Sequence, residues 1–302
     1  MTITELLESV RRVEVRTNRL VNDMMVGAYL SHFKGRGMDF EELREYIPGD
    51  EVRDIDWNVT YRMGRPFVKR YREERELAMV LAVDVSASSH FGSERRTKRE
   101  FAAEIAGTLA ISATRSSDKV SLLLFSDEVE LFLPPRKGRR QILRIIREML
   151  FHKPRKRGTS IPSALAFLNH ALHRRSIIFL LTDFLHSFQQ GGVSGRSVLQ
   201  EIGLTNSRHD LVCVHLHDPR EAELPPAGLL TIEDAETGEL IELDSSRASV
   251  RERYATTNAE RLAELDRAFR RAGVDTLRFT TTQPYAQTLQ HFFETRRGRR
   301  RG

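Results

Sequence analysis

The rhythm of apolar and polar positions changes twice along the chain. From the start, apolar residues fall at Ile3, Leu6, Val10, Val13, Leu20 and Met24, a three-then-four spacing interrupted at Thr17. This predicts an amphipathic helix packed on its own domain, because a dimerising coiled coil needs a longer seam than one broken by a threonine. Between Gly35 and Glu76 the pattern dissolves into dense charge, with turn signals at Gly35, Gly37, Pro48 and Gly49. That stretch is expected to be ordered but mostly irregular, with a strand near "PFVKRY". From Leu77 onward, short apolar runs alternate with helical patterns, the mark of a mostly parallel sheet covered on both faces.

The predicted strands are "LAMVLAVD", "KVSLLLFS", "EVELFLP", "SIIFLLTD", "DLVCVHLH" and "VDTLRFTT". A helix after the first carries Phe101, Ile105 and Leu109 at four-residue steps. A later one carries Val250, Tyr254, Leu262, Leu265 and Phe269 and stops at Gly273. The second and third strands lie too close for a crossover helix and must form a hairpin, leaving one antiparallel edge strand. The fold class is therefore α/β, a doubly wound six-stranded sheet. A further hairpin, "LLTIEDAETGELIELD", turns at Thr237 and Gly238 and reads as a projecting insertion. Three segments result: a charged extension over 1–75, the sheet domain over 76–295 and a basic tail over 296–302.

Charge and composition narrow the setting. The formal net charge is +6, and the tail "RRGRRRG" holds five arginines, so the rest of the chain carries about +1 and the basic character is local. The single cysteine, Cys213, sits in the apolar run "LVCVHL" and reads as a buried strand residue in a reducing compartment. No apolar stretch approaches the roughly 20 residues that span a bilayer, and the N-terminus is charged throughout, which predicts a cytoplasmic protein.

Candidate chemistry gathers where the predicted strands end, since ligands of open parallel sheets bind at the carboxyl ends of the strands. Asp84 stands at such an end, and Ser86 and Ser88 follow at a spacing that turns both hydroxyls to one point in an extended loop. "FLLTDF" puts Asp183 at the end of another core strand. "RGTSIPSAL" puts Thr159 ahead of a helix, with Gly158 allowing a close approach. Two carboxylates and three hydroxyls make a hard, all-oxygen set suited to Mg²⁺ or Mn²⁺, with one coordination position open. A plainer account, in which Ser86 and Ser88 cap a helix and Asp84 bonds loop amides, leaves Thr159 and Asp183 unexplained.

Asp84, Ser86, Ser88, Thr159 and Asp183 resemble the metal-ion-dependent adhesion site of von Willebrand factor A domains, Asp-x-Ser-x-Ser followed by a distant Thr and a distant Asp. The resemblance implies that the hydroxyls ligate the metal directly, that the aspartates act mostly through water, and that a protein partner's carboxylate fills the vacant position. The segment "FEELREYIPGDEVRDIDW" adds a second likeness, carried by Arg44, Tyr46, Pro48, Gly49, Asp50, Arg53, Ile55, Asp56 and Trp57. With "FGS", Lys98, "LPP" and "TDF", it is similar to the bacterial family catalogued as domain of unknown function 58. Members of that family are commonly encoded beside MoxR-type AAA+ ATPases, which implies a role as adaptor or substrate-recognition partner of such an ATPase. Where the family often has methionine after the second serine, this chain has Ser89 and then His90, a departure that touches the loop's packing and not the ligands.

Other functions fit less well. The haloacid-dehalogenase phosphatase motif needs a second aspartate where Ser86 stands, and no Gly-x-Ser-x-Gly elbow or GxxxxGK[ST] loop is present. The chain is expected not to be an enzyme in itself. His215 and His217 share one strand face and lack a third zinc ligand nearby. The competing function is binding of nucleic acid or an anionic surface through "RKGRRQILRIIRE", "HKPRKRG" and the arginine tail, although Ile142, Leu143, Ile145 and Ile146 mark the first as a helix with a buried face. Within the extension, "IPGD" predicts a turn and Trp57 an anchor on the sheet domain, with a docking surface as the alternative.

Overall fold

The structure, a computed structural model, describes residues 13, 17, 38–73, 78–94, 96–185 and 197–299. Most of the predicted N-terminal helix and the end of the arginine tail lie outside these. The chain divides into two compact units, one of them Phe33–Leu77.

That unit has more regular structure than its sequence suggests. Strand β1 (Met38–Glu45) pairs antiparallel with β2 (Phe67–Glu73), and helix α1 (Trp57–Met63) lies between them in the chain. The register of β1 slips between Phe40 and Glu42. A bulge there adds one residue and breaks the period of two, which is why Met38, Phe40 and Leu43 do not alternate in sequence. The predicted "IPGD" turn is present, closed by the Asp50 amide donating to the Ile47 carbonyl, with Gly49 at φ +115°. Asp50 receives a two-pronged pair from Arg44, and Asp56 caps α1 while pairing with Lys69 at 2.9 Å. Within this unit Trp57 is not buried, at 66% exposed.

The larger unit is built on six strands: β3 (Ala78–Asp84), β4 (Lys119–Phe125), β5 (Val129–Arg136), β6 (Ile177–Thr182), β7 (Asp210–His217) and β10 (Asp275–Thr280). Their order is β10-β7-β6-β3-β4-β5, parallel throughout except for the β4–β5 hairpin at one edge. The separate β8 (Leu229–Glu233) and β9 (Leu240–Asp244) form the second predicted hairpin.

Helices α2 (Lys98–Arg115), α3 (Arg139–Phe151), α4 (Ile161–Ala171), α5 (Val198–Arg208), the one-turn α6 (Pro219–Ala222), α7 (Ala248–Ala272) and α8 (Ala286–Arg299) complete the unit. Their starts and stops follow local chemistry. Thr97 and Glu100 form a capping box at α2, and Gly273 ends α7 in the left-handed region at φ +61°. Phe101, Ile105 and Leu109 are fully buried, as their spacing predicts. Their helix is covered on its outer side too: a Cβ at Gly107 would lie 3.4 Å from Thr17 Cγ2 and 3.5 Å from Val13 Cγ1. At the two described positions of the N-terminal helix, the chain thus packs on its own sheet domain. Arg296, first of the terminal arginine run, is ion-paired to Asp210 and Asp275.

From β3 the chain moves through α2 to β4 on one side, then returns to place β6 on the other. The order reverses between β3 and β6, so the loops leaving these strands diverge and open a crevice.

Candidate functional site

Asp84 ends β3, where Val83 lies beside Leu181, so its carboxylate faces the end of β6. One oxygen accepts the Ser86 amide at 2.9 Å; the other accepts the Thr182 hydroxyl at 2.7 Å and the Thr159 hydroxyl at 3.2 Å. Ser86 and Ser88 hydroxyls stand 3.1 Å apart, although the loop is not extended as expected: Ala87–His90 form a 3-10 turn with Ser86 at its head. Ser89, where the family often has methionine, donates its hydroxyl to the Ser86 carbonyl at 2.7 Å and closes the loop. His90 is exposed and its ring faces Arg99.

The loop carrying Thr159 is held by three bonds. The Arg157 carbonyl accepts the Ala87 amide at 2.9 Å, the Ser160 amide donates to the Ser126 carbonyl at 2.8 Å, and the Gly158 amide donates to the Asp127 carboxylate at 3.1 Å. A Cβ at residue 158 would stand 2.4 Å from Asp127 Oδ1, so the close approach expected at Gly158 is real. All five predicted residues therefore meet at the crevice. Asp84, Ser86, Ser88 and Asp183 are buried, and Thr159 is half-buried at the rim.

Burial and the neighbouring Asp183 carboxylate push Asp84 up to about 6. Burial opposes ionisation of Asp183 as well, but the Lys98 ammonium outweighs it and holds that carboxyl below its usual range. Lys98 Nζ lies 2.5 Å from Asp183 Oδ2 and also donates to Glu221. Glu221 is raised nonetheless, because burial outweighs its bond to Lys98.

Sequence reasoning missed Thr182, Glu221 and the role of Lys98. Lys98 had left a signal: it opens α2, where a cation opposes the helix dipole and calls for an acidic partner.

The donor set fits a hard dication. Among the described residues no cluster of three or more His, Cys, Asp or Glu is placed to hold a metal, so a cation here depends on the hydroxyls. Thr159 directs its proton to a carboxylate, and Ser88 bonds Asp183. A hydroxyl that donates in this way keeps its lone pairs for a cation. A cavity of about 10 Å³ beside Asp84, Ser88, Lys98 and Asp183, closed by Leu181 and Leu216, is about the size of one water.

His215 and Cys213 do not join the site. His215 is 3% exposed, packs edge-on against Phe184 and is pushed down to about 3 by burial; burial likewise raises the Cys213 thiol.

Comparison with known proteins supplies context. Uncharacterized protein Rv1480 of Mycobacterium tuberculosis is 29% identical over 296 residues, 97% of this chain and 90% of the relative. The crystal structure of an aerotolerance-related membrane protein from Bacteroides fragilis shares 16% identity over 74% of this chain and 99% of that one, with a TM-score of 0.48. A von Willebrand factor type A structure from Catenulispora acidiphila shares 11% identity over 74% and 43% of the respective chains, with a TM-score of 0.39. The sheet order and the alternation of strands with helices are those of a doubly wound α/β domain.

One expectation is corrected. A cytoplasmic setting was inferred from the lack of a spanning segment, yet a protein of similar fold is described as a membrane protein, so that inference does not stand. No helix among the described residues is long and apolar enough to cross a membrane.

Residues 42–264 match the family described as Protein of unknown function DUF58, and the chain belongs to that family.

Proposed function

We propose that this chain is a non-catalytic protein-binding module whose contact runs through a divalent cation, Mg²⁺ or Mn²⁺, at the β3–β6 crevice. The supporting observation is the meeting of Asp84, Ser86, Ser88, Thr159 and Asp183 from three separate loops, with Thr159 and Ser88 bonded to the two aspartates. In this reading the Ser86, Ser88 and Thr159 hydroxyls hold the cation, and Asp84 and Asp183 orient them. The cation supplies an under-neutralised positive centre for a partner's carboxylate, because its direct protein ligands are uncharged. Lys98 keeps Asp183 ionised and in place. The partner class implied by the family resemblance is a MoxR-type AAA+ ATPase, with this chain as its adaptor.

Thr159→Ala tests the reading, since Thr159 is half-buried at the rim and its loss leaves the core untouched. The expected result is an unchanged unfolding midpoint with loss of Mn²⁺ binding by calorimetry, and loss of EDTA-sensitive capture of a MoxR-type ATPase. Equal Mn²⁺ binding by variant and parent overturns the proposal.

A further inference from the structure

The β8–β9 hairpin was expected to project from the domain, but its tip folds onto the site. Thr159 Oγ1 donates to Glu236 Oε1 at 2.9 Å, closer than its 3.2 Å contact with Asp84. One hydroxyl has one proton, so Thr159 serves one of these carboxylates at a time.

The turn that carries Glu236 is rigid. Asp234 Oδ1 accepts the amides of Glu236 and Thr237 at 2.9 and 3.0 Å, and the Asp234 carbonyl accepts the Gly238 amide at 2.8 Å, with Gly238 at φ +77°. Beside it, Arg157 of the Thr159 loop pairs with Glu233 at 3.3 Å. The strands of the hairpin are tied at their base, where buried Ser245 bonds Gly228 and Ala227. They form a two-stranded sheet of their own, and Leu229, Leu240 and Ile241 are 68%, 66% and 54% exposed. The arm beyond that base is separate from the six-stranded sheet, so its tip can part from the Thr159 loop without disturbing the core.

We infer that Glu236 is the site's own carboxylate: the hairpin tip occupies, within the chain, the corner that a partner's acid takes between chains. This rests on the adhesion-site reading above and names its regulation. Charge makes the exchange even. Lys98 is already paired with Asp183 and Glu221; with a dication bound, replacing Glu236 by a partner's carboxylate leaves the local charge unchanged. The hairpin therefore caps the site, and a partner binds by displacing it.

The test uses the full chain and Mn²⁺ alone. In the parent, Mn²⁺ should bind and slow amide exchange over residues 234–239. Glu236→Gln retains an oxygen for Thr159 but not the charge, and should weaken Mn²⁺ binding at least about tenfold and abolish that protection. Thr159→Ala should lose both. If Mn²⁺ binds the parent while exchange at 234–239 is unchanged, the capping inference is overturned and the adhesion site survives. If Mn²⁺ binds neither parent nor variants, the adhesion-site reading falls and takes the inference with it.

Discussion

Lys98→Met removes the ammonium that lies between two buried carboxylates and keeps a side chain of similar length. Lys98, Asp183 and Glu221 side chains are 3%, 6% and 14% exposed, so water replaces little of what is lost. Two effects oppose each other. Removing a cation from the first turn of α2 favours the helix by about 0.3–1 kcal/mol. Stranding two carboxylates in a low-dielectric site costs about 3–5 kcal/mol, the usual penalty for breaking a buried pair. The second wins, and the variant should be destabilised by about 3 kcal/mol at pH 7 in urea denaturation with an unchanged slope. The pH dependence carries the mechanism. Without Lys98 the Asp183 and Glu221 carboxyls are pushed above their unfolded values, so the folded variant binds protons more readily than the unfolded chain. Its deficit is then largest at neutral pH, shrinks as pH falls through the raised values of the variant, and closes only when pH also falls through the parent's lowered Asp183 value, below 3.8. A variant as stable as the parent at pH 7, or one with the same deficit at pH 4, refutes this account.

Gly158→Ala should drive Asp127 away from the Gly158 amide, costing about 0.5–1.5 kcal/mol and shifting Thr159 enough to weaken Mn²⁺ binding. Adding Asp127→Ala should cost less than the sum of the single changes, and strict additivity in the double-mutant cycle would count against the contact. In the metal-free protein Asp84 stands near 6 when folded against an ordinary 3.8, so the folded state holds a proton that the unfolded state has released. Its contribution should lower stability as pH rises from about 4 to 6, by on the order of 2–3 kcal/mol, and saturating Mg²⁺ should remove the slope. Denaturation curves of Asp84→Asn and parent across that window check this, since the variant should lack the slope without metal.

Local rules made much of the larger unit legible. Each apolar run from Leu77 onward became a strand within a residue or two of its predicted ends, because fully buried parallel strands have little else to be. Phe101, Ile105 and Leu109 fixed the buried line of α2, and the short link between β4 and β5 forced the antiparallel edge. The extension was less legible, because the bulge at Phe40 to Glu42 broke the alternation by which β1 would have been found.

Taken by itself, the sequence determined the α/β sheet and its antiparallel edge, which depend on periodicity and on the length of one link, and it put Asp84 and Asp183 at strand ends and Thr159 ahead of a helix. Only the tertiary structure decided what surrounds them. Lys98 meets Asp183 and Glu221 across separations of 85 and 123 residues, and Thr159 meets Glu236 across 77. No periodicity links such positions. They meet because the sheet reverses its order between β3 and β6 and brings the ends of distant strands to one crevice, where burial makes every charge answer to its neighbours.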